Sequence, residues 1–308
     1  MESCDRSYKV RVPASTSNLG AGFDCLSLAL QLYLHVTVKV VPDAKVQCQV
    51  FTSGEGAADV PPRTDDNLIF RAMRFAAERE GSSLPPVQIE VENELPLGRG
   101  LGSSAAAIVA GITLGSFICG RELSAETVLR CASELEGHAD NVAAAYYGGW
   151  VVTCVKPDGK VIAVKRPWPS DLKVIIVSPE ASLKTLESRD ALPGIVKLED
   201  AVYNLQRAAL FCSALETGAY DLLWEAMQDR LHQARRQSLV PGLADALSTP
   251  PQPGLVGVAL SGSGPSVIAL ALDHLPEIGE TIANSFRSRD MPATVRFLEA
   301  DNEGYRAL

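Results

Sequence analysis

Pro96-Leu97-Gly98-Arg99-Gly100-Leu101-Gly102-Ser103-Ser104-Ala105-Ala106-Ala107 is the stretch on which the reading of this chain turns. Three glycines alternate with other residues, two hydroxyls follow, and a run of strong helix formers begins at once. Glycine lets the backbone curl until consecutive N–H groups converge on one point. A helix starting there adds its unsatisfied N-terminal N–H groups and the positive end of its dipole. Ser103 and Ser104 can cap that helix, and their hydroxyls can reach a phosphate oxygen or a metal. Together these features describe a cradle for a polyphosphate. A tight turn that merely opens a buried helix fits the same residues. Two other phosphate loops do not fit. A Walker A loop needs Gly-Lys-Ser/Thr, and no lysine is present in the stretch. A dinucleotide fingerprint needs G-x-G-x-x-G, and here the third glycine, Gly102, comes one residue early.

The rest of the chain is ordinary globular material. Its 308 residues suggest about two domains, with 46% apolar and 21% charged residues to build and solubilise a large core. A net charge of −9 argues against a nucleic-acid or anionic-membrane partner, because both surfaces need clustered Lys and Arg. It does not argue against a phosphorylated ligand, which helix-start N–H groups can hold locally. The seven cysteines (Cys4, Cys25, Cys48, Cys119, Cys131, Cys154 and Cys212) are odd in number, scattered and without a C-x-x-C pair, the usage of reduced thiols. Met1-Glu2-Ser3-Cys4-Asp5 lacks the basic and apolar regions of a signal peptide, and no apolar run is long enough to span a bilayer. A cytoplasmic location is the expectation.

Periodicity predicts the elements on either side of the glycine loop. Val46, Cys48 and Val50, and again Val87, Ile89 and Val91, alternate with polar neighbours as half-buried strands do, and 36–41 is a similar run. Asn67 to Arg79 carries a helical apolar face. Residues 103–117 are small and apolar almost all round, which predicts a buried helix, and Ser124 caps a second one. Strands are expected at 150–155 and 161–164. Lys165-Arg166-Pro167-Trp168-Pro169-Ser170 breaks the pattern and marks a boundary, giving domains at 1–168 and 169–308. Beyond it we expect strands at 173–177, 256–260, 266–272 and 294–297, and helices at 199–217, 221–236 and 277–287. The class is α+β in two domains, without repeats.

The loop also resembles, without a gap, the second motif of the GHMP kinases, P-x-x-x-G-L-G-S-S-A-A. Leu260-Ser261-Gly262-Ser263-Gly264-Pro265-Ser266 resembles their third motif, and Pro13-Ala14-Ser15-Thr16-Ser17-Asn18-Leu19-Gly20-Ala21-Gly22-Phe23-Asp24 their first. The resemblance spans nearly the whole chain and implies a GHMP kinase fold: an N-terminal ribosomal protein S5 domain 2-like domain, a C-terminal ferredoxin-like α+β domain, and an active site between them. It implies ATP bound by Pro96, Leu97, Gly98, Arg99, Gly100, Leu101, Gly102, Ser103, Ser104, Ala105 and Ala106, with Gly262, Ser263 and Gly264 packed nearby. The Asn-Leu-Gly-x-Gly-Phe-Asp ending of the first motif is similar to that of the homoserine kinases. So are Glu136-Gly137-His138-Ala139-Asp140-Asn141-Val142-Ala143, Thr185-Leu186-Glu187-Ser188-Arg189-Asp190-Ala191-Leu192-Pro193 and Asp229-Arg230-Leu231-His232-Gln233-Ala234-Arg235-Arg236. That resemblance implies L-homoserine as acceptor, O-phospho-L-homoserine as product on the way to threonine, and a possible homodimer.

These residues suit an amino-acid substrate on chemical grounds as well. Asp24 and Asp140 can meet an ammonium, and Arg189 with Arg235 or Arg236 a carboxylate. Asn141, with Asn18 nearby, can orient the attacking hydroxyl, and His138 lies in the same segment. Glu136 is a hard oxygen ligand suited to Mg²⁺, completed by Ser104, phosphate oxygens and water, with Glu134 the competing ligand. Each residue taken alone also fits a plainer role: a polar turn at 140–141, solvated arginines, a hydrogen-bonded His138, a helix pair of His232 and Arg236. Some GHMP relatives use an Asp base on the hydroxyl; here the matching place holds Asn141, which implies no dedicated base. The family's late motif His-Gln-Pro-Tyr-Arg reads His232-Gln233-Ala234-Arg235-Arg236 here, and counting selects Arg236. If 229–236 is one helix, only one of the adjacent arginines can face the cleft. The competing functions are a GHMP kinase with another acceptor, such as mevalonate or shikimate, and a catalytically inactive binding protein of the same fold.

Overall fold

The alternating N-terminal residues form a long antiparallel hairpin. In this computed structural model, which describes residues 7–59, 66–183 and 185–308, strand β1 (Ser7–Asn18) turns at residues 19–21 and returns as β2 (Gly22–Val40). Cys4 and the N-terminal pentapeptide lie outside the described residues, as do the side chains of Thr185, Leu186 and Glu187. Far from the turn the pattern is one-sided: Val36 and Val38 are buried, while His35 and Thr37 face partly outward. Near the turn both faces are covered, which is why Ala14 to Asn18 and Leu26 to Leu30 are buried without alternation.

Around the hairpin come β3 (Cys48–Gly54), α1 (Leu68–Arg79), β4 (Val87–Asn93), α2 (Ser103–Ile118), α3 (Ala125–Glu136), α4 (Asp140–Tyr147), β5 (Trp150–Val155) and β6 (Val161–Arg166). The second half supplies β7 (Lys173–Pro179), α5 (Thr185–Asp190), α6 (Leu198–Thr217), α7 (Leu223–Ala226), α8 (Gln233–Arg236), α9 (Leu243–Leu247), β8 (Leu255–Leu260), β9 (Val267–Ala271), α10 (Leu275–Arg287), β10 (Ala293–Leu298) and β11 (Arg306–Ala307). A seven-stranded sheet has the order β11-β1-β2-β4-β3, with β5 also on β2 and β6 on β5; a four-stranded sheet runs β10-β7-β9-β8. All pairs are antiparallel except β3 with β4. In the small sheet β7 and β9 are buried on both faces, while the edge strand β10 is partly exposed. Val174 and Ile176 of β7 join the core shared with the large sheet, and Ile175 and Val177 point to the second core against Ile278 and Phe286 of α10. Residues 301–308 leave the small sheet and return to β1, where Val10 pairs with Ala307 and Arg11 with Arg306.

Several expectations need correction. The helix expected over 221–236 is broken into a short 3-10 turn at Tyr220–Leu222, α7 and α8. The cause is Asp229, whose carboxylate accepts from the backbone N–H of Leu231, His232 and Gln233 and so starts a new helix instead of continuing the old one. Helix α4, which holds Asp140 and Asn141, and the strand β11 carry no periodic signal long enough to announce them. Val46 lies outside β3, and Lys165 and Arg166 are the end of β6.

Helix α2 is buried nearly all round, and this is possible because it is lined with small residues. A Cβ on Gly111 would sit 2.4 Å from the Ile69 carbonyl of α1, and one on Gly115 would sit 2.5 Å from that of Met73. Both obstacles are backbone, so the helices must part to admit a methyl group. Gly111→Ala should therefore cost stability even though alanine favours helices by about 1 kcal/mol over glycine, because overpacking against backbone costs up to ~3 kcal/mol. Urea denaturation should show a lower midpoint, a net loss of about 1–2 kcal/mol.

Candidate active site

The glycine loop takes the curl its composition allows: Gly98, Gly100 and Gly102 have left-handed φ of 63°, 75° and 68°. Two of them are also pressed against neighbours. A Cβ on Gly100 would lie 2.1 Å from the Ser261 carbonyl oxygen, and one on Gly102 would lie 2.1 Å from Ser15 Oγ. Hydrogen bonds close the same contacts: Ser261 Oγ donates to the Gly100 carbonyl (2.7 Å), Ser15 N to Leu101 O (3.2 Å) and Gly262 N to Ser17 O (3.1 Å). The three glycine-rich stretches of the sequence thus meet in one place. The loop ends at the N-terminus of α2 with Gly102 in the cap position and no side-chain cap. Ser103 and Ser104 do not cap the helix, as the sequence suggested; the positive-φ glycine ahead of them leaves the first-turn N–H groups to an anion.

Ser104 points elsewhere. Its hydroxyl donates to Glu136 Oε2 at 2.6 Å. Glu136 closes α3, the chain turns through Gly137 (φ 88°), and α4 begins at Asp140. That turn carries three ionisable groups inward. His138 Nδ1 lies 2.5 Å from Asp140 Oδ1, which also accepts from the Asn141 backbone N–H at 2.7 Å, and His138 Nε2 lies 3.8 Å from Glu136 Oε1. Burial raises the pKa of Glu136, against the Ser104 hydrogen bond and the His138 charge. For His138, burial opposes the charged form, but the hydrogen bond and charge of Asp140, with Glu136 behind it, outweigh it and raise the pKa. The second oxygen of Asp140, Oδ2, is buried with no hydrogen-bond partner among the described residues. Glu134, the rival to Glu136, is exposed and ion-paired with Arg79.

Asn141 is fixed from both ends: Ser15 Oγ donates to its Oδ1 and its Nδ2 donates to Ser17 Oγ, each at 2.8 Å. Asn18, at φ 72°, spans the hairpin turn, accepting from Asp24 N (3.0 Å) and donating to Gly262 O (2.8 Å). Asp24 (φ 55°) pairs with Arg189 of α5 through two hydrogen bonds of 2.6 and 3.1 Å. Ligand atoms of Asp24, His138 and Asp140 all lie within 4.8 Å of one another. Arg236 is 2% exposed. Its Nε donates to Ser188 O at 3.1 Å, and burial, with Arg189 adding to it, lowers its pKa to about 10. Arg235 is exposed, so the two arginines do point apart, although the single helix assumed for that argument is not there.

The glycine loop, Ser17, Asn18, Ser104, Glu136 and Asn141 line one cavity of about 510 Å³, whereas Ser15, Ser261 and Arg235 do not reach it. Its lining also includes the charged residues Asp24, His138, Asp140, Arg189 and Arg236 and the apolar residues Leu68, Ile69 and Val91. Ser15, Ser17 and Phe23 were not singled out by sequence, although all lie inside the quoted first motif. Phe23 stacks on His232 (5.2 Å between centroids) beneath both Arg189 and Arg236. The apolar lining had no sequence signal beyond the strand and helix patterns that carry it.

Comparison with known proteins agrees with this geometry. Residues 67–149 match the family model described as "GHMP kinases N terminal domain", and residues 211–288 match "GHMP kinases C terminal", which puts the two-domain fold in the GHMP kinase class. The chain is 40% identical over 297 residues to the homoserine kinase of Desulfitobacterium hafniense, covering 96% of this chain and 98% of that one. It is 45% identical over 269 residues to that of Deinococcus radiodurans, covering 87% and 85%. The crystal structure of homoserine kinase from Cytophaga hutchinsonii matches with a TM-score of 0.86 at 28% identity, covering 100% of this chain and 99% of that one. The chain belongs to the homoserine kinase branch of the GHMP kinase family.

The close approach at Gly102 gives a direct test of the cradle. Gly102→Ala places a methyl group against Ser15 at a φ that L-residues avoid. A displacement of this order at a reacting phosphate costs about 10²-fold. Gly102→Ala should lower kcat/KM for ATP by at least that factor and abolish the rise in thermal midpoint that ATP produces.

Proposed function

We propose that this chain transfers the γ-phosphoryl group of ATP to the side-chain hydroxyl of L-homoserine, giving O-phospho-L-homoserine for threonine biosynthesis. The observation that carries the reading is the paired charge of the acceptor end: Asp24, His138 and Asp140, with ligand atoms within 4.8 Å of one another, beside Arg189 and Arg236. Asp24 and Arg189 satisfy each other through paired hydrogen bonds. A zwitterion offers each a counter-charge in exchange: its ammonium to Asp24 and Asp140, its carboxylate to Arg189 and Arg236. An acceptor with one charge or none leaves half of that pair unmatched. Asn141, held by Ser15 and Ser17, directs the hydroxyl. Its amide has no useful basicity, so the hydroxyl proton passes to the phosphoryl group as the new O–P bond forms and the bond to ADP breaks.

Ser104 and Glu136 present two hard oxygens 2.6 Å apart beside the glycine loop, and burial raises the pKa of Glu136. These donors fit magnesium and would hold it; when bound, it neutralises charge on the phosphate oxygens. The cytoplasm is part of the proposal, supported by the free thiols of Cys25, Cys48, Cys119, Cys131, Cys154 and Cys212. So is a homodimer, supported by exposed aliphatic residues such as Ile195, Leu198 and Leu205.

An ADP-release assay with a panel of acceptors tests the reading: L-homoserine should exceed mevalonate and galactose in kcat/KM by at least ~10²-fold. Equal rates across the panel would leave the zwitterion argument without support. In the same assay Glu136→Gln should lower kcat by about 10²-fold, whereas Glu134→Gln stays near wild type.

The two arginines are separated by their KM values. Arg236→Ala and Arg189→Ala should each raise the KM for homoserine by ~30-fold or more, the size of a lost buried charge contact of about 2 kcal/mol, with the KM for ATP little changed. Arg235→Ala should behave as wild type, since its side chain is exposed.

A further inference from the structure

His232 is fully buried and sits between two groups that leave it one way to bond. Nε2 lies 2.8 Å from the Gly20 carbonyl oxygen, which can only accept, so Nε2 carries the hydrogen. Nδ1 is then a lone pair, and it faces Nη1 of Arg236 at 3.2 Å, which can only donate. Both neighbours select the same neutral tautomer. The nearby carboxylate of Asp229 lies 3.7 Å from Nε2, but it is already engaged by Asn204 and by the backbone N–H of Leu231, His232 and Gln233. Among the described residues, His232 is the one side chain to which Arg236 donates; its other acceptors are the Ser188 and Gly262 carbonyls.

We propose that His232 is a positioning residue for the acceptor site: its Nδ1 lone pair aims the Arg236 guanidinium at the acceptor carboxylate, and its bond to Gly20 ties that aim to the hairpin turn that leads into Phe23 and Asp24 at the start of β2. The proposal rests on the reading that Arg236 meets the carboxylate. It also explains why an aromatic ring is used. The imidazole stacks on Phe23, with an interplanar angle of 28°, so the plane that fixes Arg236 is itself fixed by a residue at the start of β2.

Only the neutral ring can do this. A proton on Nδ1 would set an N–H and a positive charge against the guanidinium. The charged groups around the ring are Asp229 on its own segment, Arg236 on α8, Asp24 at the start of β2 and Arg189 on α5, beyond Phe23. Burial, with Arg236 adding to it, depresses the pKa of His232 against the pull of Asp229 and Asp24. Alignment is therefore complete above the ordinary imidazole range, about pH 6.5, and is lost as pH falls through the lower folded value.

Three variants test the proposal with homoserine and ATP as substrates. His232→Leu should keep a cooperative melt and its KM for ATP, while its KM for homoserine rises about tenfold or more for one lost charge-assisted hydrogen bond. His232→Gln retains a donor for Gly20 and an acceptor for Arg236 but cannot titrate. It should keep a near-wild-type KM for homoserine at neutral pH, while the acid limb of log kcat/KM becomes shallower by about one proton. If His232→Leu leaves the KM for homoserine unchanged, or raises both KM values together, the histidine is structural and the proposal is overturned. Should His232→Leu fail to fold, the acid limb of His232→Gln decides, and a limb identical to wild type overturns the proposal. Arg236→Ala separates the two claims. A silent Arg236→Ala overturns the carboxylate reading and this proposal with it, whereas a defective Arg236→Ala beside a silent His232→Leu overturns this proposal alone.

Discussion

The backbone of Gly100 lies against the carbonyl of Ser261, and that of Gly102 against Ser15, so closely that neither position admits a Cβ. This contact joins segments drawn from the first strand, the second helix and the small sheet, which are separated by most of the chain length. Glycine there serves two needs at once, the left-handed φ and the missing side chain. The result is a cradle made of backbone, with few side-chain torsions left to order when a nucleotide binds. A site assembled this way is set before binding, which is where electrostatic stabilisation of a transferring phosphoryl group is most effective.

The end of the cavity proposed for the acceptor follows a different logic, since it is made of charged side chains that must be held and yet stay available. Asp24 and Arg189 are held as a pair, and His138 sits between two carboxylates. Arg236 is the exception: its partners are two carbonyl dipoles and a neutral imidazole, none of which cancels its charge. A buried cation solvated only by dipoles gains more from an arriving anion than one already in an ion pair. In a chain of net charge −9, that arrangement leaves a buried cation at the place proposed for the acceptor carboxylate.

Much of this was legible in the sequence because it is local. Strand alternation at 87–91, the all-round apolar character of α2 and the cap at Ser124 depend on neighbours a few residues away, and each element forms where its pattern lies. The glycine motifs were legible for the same reason. What could not be read depends on distant contacts. The break at Asp229 is invisible in a helical periodicity, because it arises from one carboxylate choosing three backbone N–H groups, with Asn204 bonded alongside. Of the two roles the sequence allowed Ser104, capping the helix or joining Glu136, 32 positions away, only the second forms. Phe23 and His232 stack across more than two hundred residues, and no pattern in either segment calls for the other.

The return of the last described residues to β1 bears on how the protein is made. Leu308 N donates to Lys9 O, and Asp301 accepts from Tyr33 OH and from the backbone N–H of Glu303 and Gly304. The edge of β1 beside Val10 and Arg11 therefore waits for residues that lie almost three hundred positions later in the chain. During synthesis that edge is an open strand, able to pair with a neighbouring nascent chain, and it closes only when residues 301–308 are released. Protection of that edge until residues 301–308 have emerged is thus a condition for reaching this fold.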